Sequence, residues 1–267
     1  MGEDQGVTTT TSELIVPHRF HGPNSSGNGG WTSGALAERV DHDRPTNHAD
    51  PWPAIRVALR QPPPLDTPLE VTQDGGATVA SIDGAVVARA EVFKDALTVV
   101  GPVAAGAARA AMASYPGHTS HPFPSCFSCG TERAEGDGLR IFPGPVGGPI
   151  DGATRIAATW TPHPSVAEDW HEYVDDHARA SLPVTWAALD CVGGWAGDLT
   201  ERLMVLAAMT ARVDTLPLIG EEHVVVGQAR GHEGRKTFTA STLYDADGRV
   251  VAVAEHLWVA VDPAAFK

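Results

Sequence analysis

Residues 183–196 read PVTWAALDCVGGWA, with Pro183 opening a helix whose strongly polar side chains are only Thr185 and Asp190. A helix that is apolar nearly all round is buried rather than laid on a surface. Strand signals stand on both sides of it. TRIAATWTP, from Thr154, precedes it, and a polar, His-rich insertion from His163 to Ser181 lies between the two. LMVLAAMTARV from Leu203, EHVVVGQARG from Glu222, RKTFTASTLY from Arg235 and RVVAVAEHLWVAV from Arg249 follow it. Short Val-rich runs separated by turn residues read as antiparallel strands. A curved antiparallel sheet wrapped around one buried helix is an α+β arrangement.

The upstream half has the same order of elements. ELIVPHRFH from Glu13 reads as a strand, GPNSSGNGG from Gly22 as a turn, and WTSGALAERV from Trp31 to Val40 as a helix. Four strand signals then begin at Ile55, Pro68, Ala77 and Ala85. Asp83-Gly84 and Asp247-Gly248 both predict two-residue hairpin turns, which need positive φ at the two central positions. DGAVVARAE from Asp83 and DGRVVAVAE from Asp247 agree at seven of nine positions. The repeated order and this match together point to an internal duplication. The expected organisation is a disordered N-terminus over residues 1–12, a first repeat over 13–113, a Pro/Gly-rich connector over 114–151 and a second repeat over 152–264.

The chain has 267 residues and a net charge of −14. Nucleic-acid backbones and anionic membranes need clustered Lys and Arg, so neither is expected as a partner. The N-terminal segment is polar and acidic, without a signal-peptide h-region, and the most apolar stretch, Val99 to Ala113, contains Arg109. Three cysteines make no disulfide framework and suit a reducing compartment. The expected location is cytoplasmic.

Three segments carry a family resemblance: FHGPNSSGNGGWTSG (from Phe20), CFSCG with GDGLRIFPGP (Cys126 to Pro145) and WAALDCVGGWA (from Trp186). They resemble the double hot-dog, acyl-CoA thioesterase-like proteins of actinobacteria. The resemblance implies two hot-dog repeats, hydrolysis of an acyl thioester such as an acyl-CoA, and assembly as a homodimer; no cofactor is expected. Many hot-dog thioesterases open a helix with His-Gly-Gly and carry an acidic residue further along. Asn28-Gly29-Gly30 stands in that place here, with Asn instead of His, and Glu38 lies downstream. In the second half Asp190 takes the acidic place, without a Gly-Gly pair at the helix start.

Asp190 has two readings. A carboxylate in an apolar helix is either bonded to backbone amides of the facing half or acts as the base that activates water. Asn28, Gly29 and Gly30 either turn the chain into the helix or offer amides to the oxyanion of thioester hydrolysis. Glu38, beside Arg39, is a second candidate base or a solvent-facing ion pair. Trp31, Trp186 and Trp195 line an acyl channel or fill the core. The alternatives to a thioesterase are a non-catalytic acyl-thioester-binding protein and a hot-dog hydratase or dehydratase. The last needs an acid/base pair, usually His with Asp or Glu, and neither helix places a His beside its carboxylate.

His118, His121, Cys126 and Cys129 give His-x2-His-x4-Cys-x2-Cys, whose residue types suit a zinc knuckle. All four sit in one short loop, and there is no second Cys-x2-Cys, so no metal is expected there. Cys191 reads as a small core hydrophobe rather than a nucleophile paired with His177. No Gly-x-Ser-x-Gly elbow, P-loop, His-Glu-x-x-His pair or complete dinucleotide fingerprint occurs.

Overall fold

The computed structural model describes residues 12–41, 51–147, 153–168, 176–262 and 264. The expected disordered N-terminus lies outside them except for Ser12, which opens the first strand. His42, His48, His171 and part of the His-rich insertion also lie outside. In chain order the elements are β1 (Ser12–Leu14), α1 (Gly29–Ala37), β2 (Ile55–Leu59), β3 (Leu69–Asp74), β4 (Ala77–Ile82) and β5 (Ala85–Val92). They continue with α2 (Ala105–Ala111), β6 (Gly144–Pro145), β7 (Arg155–Trp160), α3 (Leu182–Ala196), β8 (Met204–Val213), β9 (His223–Glu233), β10 (Lys236–Tyr244) and β11 (Val250–Ala260).

Among the described residues eleven strands join one sheet in the order β1-β3-β4-β5-β2-β8-β11-β10-β9-β7-β6. Every pairing is antiparallel. Read inward from the two edges, β1-β3-β4-β5-β2 and β7-β9-β10-β11-β8 have the same connectivity, with β6 outside the second set. The halves meet where β2 pairs β8, with Val57 opposite Met209. The matched nonapeptides fall on corresponding hairpins, leading into β5 and β11.

Those hairpins close differently. Asp83 and Gly84 adopt φ of +50° and +77°, as a two-residue turn requires. At the second site only Gly248 is left-handed, with φ +78°. Asp245 Oδ1 accepts the N–H groups of Asp247 and Arg249 at 3.0 and 2.8 Å, which widens the loop. The strand expected over Glu13–His21 also ends early, at Leu14. Pro17 has no N–H to give a ladder, and a 3-10 turn follows at His18–Phe20. The Ala-rich α2, unforeseen in the sequence, packs against β7.

The first helix starts at Gly29, two residues before the position expected, because Asn28 caps it: its Oδ1 accepts the Trp31 N–H at 2.8 Å. Two glycines then set how close the helices come. A Cβ at Gly30 would collide with Asp190 Cβ, and one at Gly34 would lie 2.7 Å from Pro183 Cα and 2.9 Å from Trp186 Cβ. Gly30 and Gly34 share one face of α1, one turn apart, and Pro183, Trp186 and Asp190 share one face of α3. The small face of the first helix thus seats the large face of the second. Both pack on the sheet, α1 against β2, β5 and β8 and α3 against β8 to β11. Every residue of α3 is buried except Cys191, which is half-buried. Each fully buried Leu, Val or Ile adds about 1.5–3 kcal/mol relative to exposure.

Candidate active site

The helix–helix contact leaves a cavity of about 280 Å³ beside the N-terminus of α1. Leu59, Met204, Leu206 and Trp258 supply apolar wall, and Arg60 and Gln61 stand exposed at the margin. Asn28, Gly29, Asp190, His121 and all three cysteines also face it.

Asp190 is 2% exposed. Its Oδ2 accepts the Gly30 N–H at 2.9 Å, and its Oδ1 has no partner among the described residues. Burial pushes its carboxyl up to about 7, against the pull of the Gly30 N–H toward the ionised form. The bond also crosses between the halves, placing a carboxylate at the positive end of a helix. Gly29 is the first helical residue, so its N–H has no intrahelical acceptor. It finds none elsewhere among the described residues either, and it lines the cavity.

Asn28 is buried and divided between two tasks. Its carbonyl oxygen caps α1, and its Nδ2 lies 3.8 Å from Cys126 Sγ and 3.9 Å from Cys191 Sγ. The Cys126 and Cys191 sulfurs are 3.7 Å apart. Hydrogen bonds from the Cys129 and Cys191 thiols hold Cys126 well below the ordinary thiol range. Burial pushes Cys129 up, and the bond to Cys126 does the same for Cys191. His121 Nε2 stands 3.4 Å from Cys129 Sγ, whereas His118 is exposed against Tyr115 and Phe142. His177 is exposed and does not line the cavity.

The structure therefore brings Asp190, Asn28, Gly29 and Gly30 together and leaves other candidates out. Glu38 caps the far end of α1, 3.9 Å from Arg39, and is absent from the cavity wall. Trp31 stacks on Phe20 at 4.3 Å, Trp186 is 1% exposed under Gly34, and Trp195 packs on Tyr115 at 4.8 Å. None of the three faces the cavity; Trp258 does. Its indole N–H donates to Thr239 Oγ1 at 3.1 Å, which fixes the ring. On β11, Trp258 carried no sequence signal beyond that of a strand residue.

Solved structures share this architecture. The tesB protein of Mycobacterium avium subs paratuberculosis superposes with a TM-score of 0.57 at 11% identity, covering 94% of this chain and 93% of that one. A protein with a hot dog fold from Alicyclobacillus acidocaldarius gives 0.54 at 13%, covering 96% and 94%. The chain has a hot-dog fold. An acyl-CoA thioesterase II, TesB2, from Mycobacterium marinum gives 0.55 at 12% identity, covering 96% and 94%. No protein-family model matches the chain, and no curated protein matches it in sequence. Among the described residues no helix is long and apolar enough to cross a membrane.

Proposed function

We propose that this chain hydrolyses an acyl thioester of the acyl-CoA type. The observation that carries the reading is a lone buried carboxylate, Asp190, held by the Gly30 amide of a helix N-terminus in the wall of an apolar cavity. Asp190 takes a proton from water as the water oxygen attacks the thioester carbon. The Gly29 N–H, first in the helix, receives the carbonyl oxygen as it becomes an oxyanion. The Gly30 N–H is a positioning group, because it is spent on Asp190. When the tetrahedral intermediate collapses, the C–S bond breaks, and the leaving sulfur takes the proton held by Asp190 and departs as the thiol, which regenerates the carboxylate. Arg60 at the cavity margin suits the phosphates of a CoA headgroup.

The chain is further read as two hot-dog repeats, over residues 13–113 and 152–264, joined by the 114–151 connector. The matching connectivity of the two strand sets and the shared nonapeptide support this. One site then draws on both repeats: amides from the first and the carboxylate from the second.

The test is a panel of acyl-CoAs of increasing chain length, read by release of free thiol. Turnover on at least one member, saturable in substrate, is expected. Saturable binding without thiol release from any of them would make the chain a binding protein and overturn the reading.

A further inference from the structure

The sulfurs of Cys126, Cys129 and Cys191 all lie within 4.8 Å of one another. They come from two elements: a Cys-Phe-Ser-Cys-Gly turn, and α3, in which Cys191 lies 65 residues beyond Cys126. The turn is built as a metal knuckle is built. The Gly130 N–H closes the turn by donating to Cys126 O at 2.9 Å. Gly130 must be glycine, since a Cβ there would lie 2.5 Å from Cys126 O and 2.6 Å from Pro124 O. Side-chain donors complete the surroundings, with Asn28 Nδ2 toward two of the sulfurs and His121 Nε2 toward the third.

We propose that Cys126, Cys129 and Cys191 form a three-thiolate site for a thiophilic divalent cation, zinc, with its fourth position open to the cavity. At a Zn–S distance of about 2.3 Å, tetrahedral thiolates stand about 3.8 Å apart. The 3.7 Å between Cys126 and Cys191 already matches that spacing. Three thiols also fit a cation better than a disulfide, which would leave one sulfur over.

His121 stands outside the ligand set. Its Nδ1 accepts the Phe123 N–H at 3.0 Å, so its Nε2 carries the proton and donates it toward Cys129. A nitrogen holding a proton has no lone pair to ligate with. Binding displaces the thiol protons to solvent and leaves a site of charge −1, which the Asn28 and His121 N–H groups offset. The expectation of a metal-free loop rested on finding all four ligands within the loop; the third sulfur comes from α3.

The full chain, reduced and supplied with zinc, is dialysed and its metal content measured, and Co²⁺ is then substituted. One zinc per chain is expected, with sulfur-to-cobalt charge-transfer bands of three-thiolate intensity. Cys191→Ser lowers that intensity to two thiolates and loses the zinc to a chelator that the parent protein resists. His121→Ala keeps three-thiolate bands and binds about 10–100-fold more weakly. Circular dichroism confirms that both variants fold. Reduced protein that retains no zinc, a Cys191→Ser variant that binds like the parent, or a His121→Ala variant that binds none would each overturn the site. So would a Cys126–Cys191 disulfide in place of zinc in protein isolated without reductant. Metal content is read without substrate, so the result stands apart from that of the hydrolysis panel.

Discussion

Asp190 holds one oxygen on the Gly30 N–H and turns no other bond to the described protein. The structure shows the bond to an amide of the facing half, and Asp190 also faces a cavity, from which its role as a base is proposed. It was legible because a lone carboxylate in an apolar helix demands an explanation. Asn28 was legible as a position but not as a helix cap. The tryptophans were not legible, because spacing is the same for a ring in the core and a ring in a channel; only packing separates Trp31, Trp186 and Trp195 from Trp258. His256 is also fully buried, and burial lowers it to about 4. The unfolded chain binds that proton more readily, near the ordinary 6.5, so stability present above pH 6.5 is lost as pH falls toward 4. The loss from this residue is roughly 3 kcal/mol. His21 and His223, also lowered by burial, add in the same direction. Urea unfolding at pH 7 and pH 4.5 should show His256→Asn with a shallower pH dependence than the parent; equal slopes would refute this. Arg60→Ala should raise KM for an acyl-CoA by about fivefold, in keeping with the about 1 kcal/mol of an exposed charge contact. It should leave KM unchanged for an acyl-pantetheine, which lacks the nucleotide.

At the scale of elements, the buried helix and the nine longer strands, β2–β5 and β7–β11, were written in the sequence as period and turn chemistry. β4 and β5, for example, are bounded as Asp83-Gly84 dictates. Three features were not legible. The early end of β1 depends on where Pro17 falls in a pairing that lies far away in sequence. α2 is a short Ala-rich helix held by packing on β7, β6 and β9 and by the Arg109–Glu222 ion pair, all distant in sequence. The thiol cluster joins a loop to a helix, and no local pattern announces such a meeting. The close approach of α1 and α3 yields a direct test. Gly34→Ala places a methyl 2.7 Å from Pro183 Cα, where backbone cannot give way as a side-chain tip could. Overpacking of this kind costs about 1–3 kcal/mol, so the urea midpoint should fall by the corresponding amount at unchanged m. Gly75→Ala offers no such clash, since nothing lies near its Cβ; its cost should instead reflect only its φ of +58°.

For the whole molecule, the β2–β8 pairing makes one continuous sheet and seats two helices side by side on it. It also covers two strand edges that separate repeats would expose. The match at seven of nine residues hinted at the shared connectivity, but the pairing itself is a long-range contact that no sequence period encodes. The consequence for function is that one cavity forms where the helices touch, with the free Gly29 amide and Asp190 in its wall and the Gly30 amide holding Asp190 in place. The most direct measurement of this account is the turnover of Asp190→Asn on the best acyl-CoA, with Glu38→Gln in parallel and thermal unfolding as a check on folding. Asn keeps the side-chain volume but has no basicity. In Asp190→Asn kcat should fall by about 10²–10⁴-fold with KM little changed and the protein folded, while Glu38→Gln should keep parental turnover. Full turnover by Asp190→Asn, or loss of turnover in Glu38→Gln alone, would contradict it.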